Sequence, residues 1–352
     1  MQRKALALIS GGLDSMLAAK CMLEQGIHVE GINFFTGFCV EGHTHALRSK
    51  DKAKQKRNNA LWVAEQLGIQ LHIIDIVDEY KSVVLNPRFG YGAHLNPCLD
   101  CKIFMIRKAN DWIKEHHFDF IVTGEVIGQR PKSQKKSTMP IIAQHSGATD
   151  RLVRPLCAQF LPPTLPEREG WIQRDKLLGF TGRSRKGQIA LAKTFQFEDY
   201  AQPAGGCCFL TNENYSAKLA DLWQSQGARS YELDDIMLLK VGRHLRPAPH
   251  FKLIIGREKG ENQYLQGYRK EFDSMMPATH MGPLVLMDGQ NLTPQDYHLA
   301  AQILGRYCNC LPDESFTAEL RFKDGTLQAL TVNPFDKTDI LPQWYIEKGN
   351  RL

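Results

Sequence analysis

The chain has 352 residues, which is too long for one ordinary domain, so two or three domains are expected. Hydrophobic residues make up 43% and charged residues 23%, as in globular proteins, and no apolar run reaches the roughly 18 residues that a membrane-spanning helix needs. The formal net charge of +6 is too small to identify a nucleic-acid-binding protein by itself. The first residues, Met-Gln-Arg-Lys, run directly into an apolar segment without a signal peptide, so we expect a cytoplasmic protein.

The first motif of the chain is a glycine turn between a strand and a helix. The apolar run Ala5–Ile9 predicts a buried strand, and Met16–Gln25 has the pattern of a helix. Between them, residues 10–15 read Ser-Gly-Gly-Leu-Asp-Ser. A strand, a glycine turn and a helix in this order are typical of a site that binds an anion with its own backbone.

Each polar or flexible residue of this turn suits phosphate binding. Gly11 and Gly12 can adopt positive φ and leave room for a phosphate at the main chain. The free N–H groups and the dipole of the following helix attract that phosphate. Ser10 and Ser15 add hydroxyl donors, and Asp14 is placed to hold a Mg2+ ion that bridges phosphate oxygens.

The motif differs from Gly-x-x-x-x-Gly-Lys-Ser/Thr, so it is not an ordinary P-loop. The run Ser-Gly-Gly-x-Asp-Ser after an N-terminal strand resembles the PP-loop of the ATP pyrophosphatases. The resemblance implies that ATP is cleaved between its α- and β-phosphates, that a carbonyl or carboxyl oxygen is adenylated, and that a nucleophile then displaces AMP. A serine N-cap on the glycine turn of an unrelated α/β protein is the alternative interpretation.

Strand and helix patterns alternate through the first half of the chain. Three further strands are rich in Ile, Val and Phe: Val29–Phe35, Leu71–Ile76 and Phe118–Thr123. Helices are predicted near Lys52–Leu67 and at Cys101–His116. The fold class is therefore α/β, a doubly wound parallel sheet whose ligands bind beyond the carboxyl ends of its strands. The PP-loop resemblance implies the same fold, that of the adenine nucleotide alpha hydrolase-like proteins.

A second polar glycine turn follows the fourth predicted strand. Residues 123–129 read Thr-Gly-Glu-Val-Ile-Gly-Gln, and Ser133 and Gln134 follow. This pattern resembles the second nucleotide-side motif of the tRNA 4-thiouridine synthetases. The resemblance implies that Thr123, Gly124 and Gln129 help to bind the nucleotide. An ordinary turn between a strand and a helix is the alternative.

The alternation of strand and helix ends after Thr138, where prolines indicate an irregular connection. From about residue 230, strands are predicted at Met237–Val241 and Phe251–Gly256, a helix at Pro294–Tyr307, and a hairpin with an Asp-Gly turn in residues 317–332. We expect an ATP pyrophosphatase domain at residues 1–165, a connecting segment at 166–229 and a smaller C-terminal α+β domain at 230–352.

Nine cysteines in a chain of this composition argue against a disulfide framework and for buried or working thiols. Cys98 and Cys101 form a Cys-x-x-Cys at the start of a predicted helix, where thiol pKa values are expected to be lowered. Cys207 and Cys208 follow two glycines and provide a further thiol site. Three cysteines that occur singly are expected in the core: Cys21, Cys39 and Cys157.

Both thiol segments resemble the catalytic cysteine segments of the tRNA 2-thiouridylases, which implies catalytic roles for Cys101 and Cys208. With Cys98 added, the set resembles the three-cysteine [4Fe–4S] thiolases. That resemblance implies that Cys98, Cys101 and Cys207, or Cys208 in its place, hold a cluster whose fourth iron has no protein ligand. A metal-free persulfide relay, a zinc site and purely structural thiols are the alternatives.

Several basic segments suit a polyanionic partner near the predicted ATP site. Residues 48–57 contain six cations and one anion, residues 132–136 contain three cations, and residues 181–188 are also basic. Such runs are also typical of solvated surfaces. The candidate RNA-binding residues are Lys52, Lys56, Arg57, Lys135, Arg183 and Arg185.

Together the motifs predict an enzyme, an ATP-dependent tRNA sulfurtransferase. With ATP and Mg2+ at the loop and Asp14, it would adenylate a uridine carbonyl oxygen, and sulfur from the cluster or from a persulfide on Cys208 would displace AMP. The expected partners are tRNA and a sulfur donor, either sulfide or a persulfide-carrying protein. The modified nucleotide and the oligomeric state stay open, with a homodimer as one option. A PP-loop ligase that acts on a small molecule and a nucleotide- or redox-sensing binding protein are the alternative functions.

Overall fold

The computed structural model describes residues 2–40, 57–200, 207–308, 310 and 314–347. The chain divides into two compact units. The N-terminal unit comprises Met1–Thr36 and Arg57–Cys207, and the C-terminal unit comprises Gly37–Lys56 and Cys208–Leu352. The predicted connecting segment, residues 166–229, is thus shared between the two units, because the N-terminal unit continues to Cys207. Within the described ranges, no helix combines the length and the apolar character needed to cross a membrane.

The N-terminal unit is built on a five-stranded parallel sheet with the strand order β3-β2-β1-β4-β5. Its strands are β1 (Lys4–Leu8), β2 (His28–Phe35), β3 (Leu71–Asp75), β4 (Phe120–Val122) and β5 (Leu152–Val153). The strand order reverses at β1, which lies between β2 and β4, so a ligand crevice is expected at the carboxyl end of β1. The predicted α/β class is confirmed, whereas β5 was missed because a two-residue strand has no detectable period.

Seven helices of the N-terminal unit are described. They are α1 (Leu13–Leu23), α2 (Asn59–Leu67), α3 (Val77–Leu85), α4 (Cys98–Glu115), α5 (Thr138–His145), α6 (Leu165–Arg168) and α7 (Lys186–Thr194), with 3-10 turns at Ala158–Phe160 and Arg174–Lys176. The helix α1 is the centre of the core, and Met16, Leu17 and Met22 are each 0% exposed. It begins three residues earlier than predicted, so Asp14 and Ser15 lie in its first turn.

The C-terminal unit contains a six-stranded antiparallel sheet with the order β11-β10-β8-β9-β7-β6. Its strands are β6 (Arg243–Ala248), β7 (Phe251–Ile255), β8 (Asp273–Pro277), β9 (Val285–Gly289), β10 (Phe316–Arg321) and β11 (Leu327–Val332). Its helices are α8 (Glu213–Gln226), α9 (Leu233–Leu238), α10 (Lys259–Gln266) and α11 (Pro294–Arg306), with 3-10 turns at Phe209–Thr211 and Pro342–Trp344. The apolar face of α11 packs on the sheet through Ala300, Ile303 and Leu304.

The predicted α+β character of this unit is confirmed, including the hairpin of β10 and β11 and the helix α11. The strand predicted at Met237–Val241 is wrong. Those residues follow a capping box formed by Glu232 and Asp235, which starts the helix α9 instead. The strands β6, β8 and β9 were missed. For β8 the reason is that it begins with an aspartate and ends in a proline, both typical of turns.

Lys218 of α8 is almost enclosed by the C-terminal unit. Its Nζ donates hydrogen bonds to the backbone oxygens of Leu239 (3.3 Å) and Gly242 (3.1 Å). Burial, and then the charge of Arg257, lower the pKa of Lys218 to about 7. Because this pKa lies below that of the unfolded chain, the unfolded state binds more protons from about pH 7 upward, and stability should rise with pH there.

We expect Lys218→Met to flatten this dependence, since the variant has no group to titrate at this position. Between pH 7.5 and 8.5 the slope of the unfolding free energy should fall by up to about 1.4 kcal/mol per pH unit. Urea unfolding of the parent and of Lys218→Met at these two pH values measures this slope. Gln224→Met, an exposed change on the same helix, should keep the parental slope. Equal slopes in the parent and in Lys218→Met would contradict the assignment of this pH dependence to Lys218.

Candidate nucleotide and thiol site

The loop at residues 10–15 joins the carboxyl end of β1 to the first turn of α1. Gly11 has φ +79°, and a Cβ on it would lie 2.7 Å from Asn59 Cβ and 2.9 Å from the Ala60 nitrogen. Both the positive φ and the lack of room for a Cβ therefore require glycine at this position. Gly12 is the N-cap of α1 and makes no side-chain cap, so the amides of the first turn face the opening of the loop. This arrangement forms an anion site.

The two serines of the loop have different positions. Ser15 is buried, and its Oγ donates to the Gly12 oxygen (2.8 Å) and accepts from the Ser10 nitrogen (3.3 Å). Ser10 is exposed, with its Oγ 3.4 Å from Ser15 Oγ. Ser15 thus fixes the shape of the loop, and Ser10 presents its hydroxyl at the surface.

The Thr-Gly-Glu turn packs directly against this loop. A Cβ on Gly124 would lie 2.4 Å from the backbone carbon and oxygen of Asp14 and 2.6 Å from the Ser15 nitrogen. Gln129 Nε2 donates a hydrogen bond of 2.6 Å to Asp14 Oδ2, and Gln188 Nε2 donates one of 3.0 Å to Gln129 Oε1. The structure therefore brings together the two segments that the sequence motifs associate with the nucleotide.

The other carboxylate oxygen of Asp14 faces a cation. Asp14 Oδ1 is buried, has no hydrogen-bond donor within the described part of the chain, and lies 4.0 Å from an Arg185 guanidinium nitrogen. Arg185 is placed there because the Gly182 nitrogen donates to the Ile127 oxygen at 2.7 Å. A buried carboxylate oxygen without a donor is the kind of group that a metal ion satisfies.

Glu125, the third residue of the turn, is a buried carboxylate with two cationic neighbours. Its Oε2 accepts from Arg154 Nε (2.9 Å) and from Thr123 Oγ1 (2.9 Å), and its Oε1 lies 4.0 Å from Lys102 Nζ. Burial alone would raise the pKa of Glu125, but Arg154 and then Lys102 hold it below its usual value. Thr123 is buried as well, and its hydroxyl orients Glu125.

Three thiols lie close enough to influence one another in the N-terminal unit. Cys98 is the first residue of α4 and donates to Asn96 Oδ1 at 3.0 Å, and Cys101 lies one turn later. Burial, and then the charge of Cys207, raise the pKa of Cys98 and raise that of Cys101 to about 12. The predicted lowering of both pKa values is therefore wrong, since desolvation outweighs the helix N-terminus.

Basic side chains surround these thiols. Lys102, Arg130 and Lys132 each act to lower the pKa of Cys98, against the effect of burial. Lys102 also faces Glu125, which directly follows Gly124 beside the loop, so the thiols and the loop lie at the same edge of the sheet. Across the described residues, no three His, Cys, Asp or Glu side chains stand close enough together to hold a metal ion.

Of the six remaining cysteines, Cys308 is buried and Cys310 half-buried in the C-terminal unit, and the other four fall into two groups. Cys21 and Cys157 are buried, as predicted, at 6% and 0% exposure. Cys39 is only half-buried, so its predicted place in the core is wrong. It pairs with Cys208 in the C-terminal unit, where the two residues form an antiparallel bridge.

The predicted RNA-binding residues have varied surroundings. Lys52 and Lys56 lie outside the described residues. Arg57 forms an ion pair with Asp199 and stacks 3.7 Å above the Trp62 ring. Lys135 and Arg183 are exposed, and Arg185 lies beside Asp14 in the loop.

Sequence reasoning did not select Lys102, Arg154 or Gln188 as site residues. Lys102 directly follows Cys101, which is the one local signal that could have identified it. Arg154 and Gln188 reach the turn only through the fold.

A different protein family matches part of each unit. Residues 3–146 match the tRNA methyl transferase HUP domain family. Residues 242–345 match the NFACT protein RNA binding domain family. The first match covers the loop, the Cys-x-x-Cys and the Thr-Gly-Glu turn.

Among individual relatives, the tRNA-specific 2-thiouridylase MnmA of Mesoplasma florum is 31% identical over 147 residues, which are 39% of this chain and 39% of that protein. The protein of the same name from Dehalococcoides mccartyi is 24% identical over 288 residues, 78% of this chain and 73% of the relative. The crystal structure of a 4-thiouridine synthetase–RNA complex with bound ATP shares 25% identity over 44% of this chain and 36% of that chain, with a TM-score of 0.33.

The fold of the N-terminal unit is therefore of the HUP, PP-loop-like type. The predicted resemblance to the PP-loop tRNA thiouridylases is confirmed for this part of the chain. The match to the Mesoplasma relative covers little more than a third of that protein's length.

The buried ion pair of Glu125 and Arg154 predicts a large effect of Glu125→Gln on stability. The change leaves the Arg154 guanidinium buried without a compensating charge, which should cost about 3 kcal/mol of unfolding free energy. Glu79→Gln is the matched control, because its 2.8 Å pair with Lys108 is exposed and should cost less than about 1 kcal/mol. Urea unfolding of the three proteins measures both differences, and similar values for the two variants would contradict the assignment.

Proposed function

We propose that the chain is an ATP-dependent tRNA sulfurtransferase that adenylates a uridine carbonyl oxygen and then replaces AMP with sulfur. The observation that carries the proposal is the close approach of Gly124 to the backbone of Asp14, which joins the loop and the turn in one site. The thiols of Cys98 and Cys101 lie at the same edge of the sheet.

In this proposal the loop binds the phosphates of ATP. The first-turn amides of α1 and the Ser10 hydroxyl donate to phosphate oxygens, with Gly11 and Gly12 leaving them room. Asp14 would hold Mg2+ through its Oδ1, which accepts no hydrogen bond from the described residues, and Gln129 fixes the other oxygen of the carboxylate. Arg185 adds a positive charge where negative charge develops as pyrophosphate leaves. We propose this role for Arg185 in place of RNA binding.

The thiols suit an iron–sulfur cluster by their chemistry, although their spacing among the described residues is not that of a metal site. Cys98, Cys101 and Cys207 are soft donors of one unit that influence each other's charge, and we propose them as the ligands of a [4Fe–4S] cluster. Held by these three cysteines, such a cluster would supply iron that accepts sulfide for transfer. The cations Lys102, Arg130 and Lys132 favour the thiolate forms that ligation requires.

Without a cluster, the sulfur would travel as a persulfide on Cys208, with Cys101 as the second catalytic thiol. Cys207 and Cys208 are neighbours in the chain but differ in surroundings. Cys207 interacts with the thiols of the N-terminal unit, and Cys208 pairs with Cys39 in the other unit. This difference favours Cys207 as the third ligand and Cys208 as the carrier.

The proposed substrate is tRNA. The C-terminal unit resembles an RNA binding domain, and Lys135 and Arg183 add exposed positive charge in the N-terminal unit. The sulfur donor would be sulfide or a persulfide-carrying protein. A ligase for a small molecule would need neither an RNA binding domain nor the three thiols.

The loop assignment is tested by Asp14→Ala. The change removes the metal-binding carboxylate and no buried apolar group, so tRNA-stimulated release of pyrophosphate and AMP should fall at least about a hundredfold while the fold is kept. Asp78→Ala, an exposed change in the first turn of α3, should keep full activity. Release rates and circular dichroism of the three proteins provide the measurement. Full activity of Asp14→Ala would refute the assignment, and release stimulated by a metabolite instead of tRNA would favour the ligase.

The cluster is tested by Cys98→Ala, Cys101→Ala and Cys207→Ala. Each should remove iron and brown colour from anaerobically prepared protein, whereas Cys21→Ala, which changes a buried core thiol, should retain both. Iron counts and absorption spectra of the four variants measure this. An iron-free preparation that thiolates tRNA at the full rate would contradict the cluster and support the persulfide route.

A further inference from the structure

Cys39 and Cys208 face each other across two extended segments of the C-terminal unit. They form an antiparallel bridge, and the Phe209 nitrogen donates a hydrogen bond of 2.9 Å to the Phe38 oxygen. This bond joins the residues that flank the pair, so Cys39 and Cys208 are a non-hydrogen-bonded pair. The Cα atoms of such pairs lie about 4.5 Å apart. Disulfides form at Cα separations of about 4.4–6.8 Å, so these two thiols can join without rearrangement of the backbone.

A buried lysine lies beside this pair. Lys240 is 5% exposed, and its Nζ donates to the Gly37 oxygen and lies 3.2 Å from Met237 Sδ and 5.1 Å from the centroid of the Phe209 ring. Burial lowers the pKa of Lys240 to about 8, and the thiols of Cys39 and Cys208 act against that shift. In the described part of the chain, no carboxylate forms an ion pair with Lys240.

These contacts place the ammonium within electrostatic reach of both thiols. A lysine charge next to a cysteine favours the thiolate, which is the attacking form in thiol exchange. Both thiols are half-buried and therefore accessible to small reagents, unlike Cys21 and Cys157 in the core.

We propose that Cys39 and Cys208 form a redox pair in which Cys39 resolves a persulfide on Cys208, with Lys240 as the positioning residue. The proposal rests on the proposed sulfur transfer, in which a sulfane-sulfur donor leaves its terminal sulfur on Cys208. It differs from the persulfide route described above, because the second thiol is Cys39 instead of Cys101.

The step balances as a two-electron exchange. The Cys39 thiolate attacks the inner sulfur of the Cys208 persulfide, a Cys39–Cys208 disulfide forms, and the bond to the terminal sulfur breaks. That sulfur leaves as hydrosulfide and keeps the persulfide proton. The sulfane sulfur is reduced by two electrons, and the two cysteines are oxidised to the disulfide. A dithiol reductant then restores both thiols.

The first experiment uses the full chain with Cys207→Ser as background, so that mass spectrometry assigns every sulfur on this segment to Cys208. The protein is loaded anaerobically with inorganic polysulfide, desalted and followed over time. We expect hydrosulfide release together with a Cys39–Cys208 disulfide. With Cys39→Ser added, the persulfide on Cys208 should persist and no hydrosulfide should appear, whereas Cys310→Ser should behave like the background protein.

The role of Lys240 is tested in the same assay. Lys240→Met should slow hydrosulfide release about tenfold at pH 7, and Lys240→Arg should restore most of the rate. A purely structural role would predict the same slow release in both variants. Equal rates in the background protein and Lys240→Met would overturn the assignment of Lys240.

The second experiment separates this proposal from the proposed function. Oxidation with diamide needs no ATP, tRNA or sulfur donor. A Cys39–Cys208 disulfide that forms with diamide and is reversed by dithiothreitol supports the redox pair even where tRNA thiolation fails. If diamide produces no Cys39–Cys208 disulfide, or joins Cys208 to another cysteine, the proposed redox pair is wrong even where tRNA thiolation succeeds. In the loading experiment, a persulfide that decays at the same rate with and without Cys39 also overturns it.

Discussion

The backbone of Gly124 lies so close to the first turn of α1 that no side chain fits between them, with a Cβ reaching within 2.4 Å of the Asp14 carbonyl. This contact fixes the turn after β4 against the loop after β1, at the point where the strand order reverses. Gln129 then donates a hydrogen bond to Asp14. The Gly182 nitrogen donates to the Ile127 oxygen, and this places Arg185 beside Asp14. A single close approach of two backbones thus gathers side chains from three distant parts of the chain.

Charge balance is the second constraint on the N-terminal site. Glu125 is buried directly behind Gly124, where an isolated carboxylate would be very costly. Arg154 and Lys102 supply the compensating charge, and Lys102 also lies within electrostatic reach of the Cys98 and Cys101 thiols. The same lysine therefore serves a buried carboxylate and a group of thiols, so the environments of the turn and of the cysteines are coupled through it.

Cys207 and Cys208 show how adjacent residues acquire different chemistry. In an extended chain, successive side chains point in opposite directions, so two neighbours can belong to different surroundings. Cys207 is exposed and influences two half-buried thiols of the N-terminal unit. Cys208 lies across from Cys39 and beside a buried ammonium. The distinction between a proposed ligand and a proposed sulfur carrier rests on these surroundings and not on the identity of either residue.

The sequence by itself determined the α/β class, the four longer parallel strands and the loop at residues 10–15, because these depend on local periodicity and on glycines at fixed positions. It also located the Thr-Gly-Glu turn and the Cys-x-x-Cys. The helix that contains Met237 was missed although its capping box, Glu232 with Asp235, is a local signal. Only the tertiary structure decided that the Cys98 and Cys101 thiols have raised pKa values and that Cys39 faces Cys208. Desolvation and pairing across the chain set these two features, and they depend on burial and on residues that are distant in sequence, which no local pattern contains.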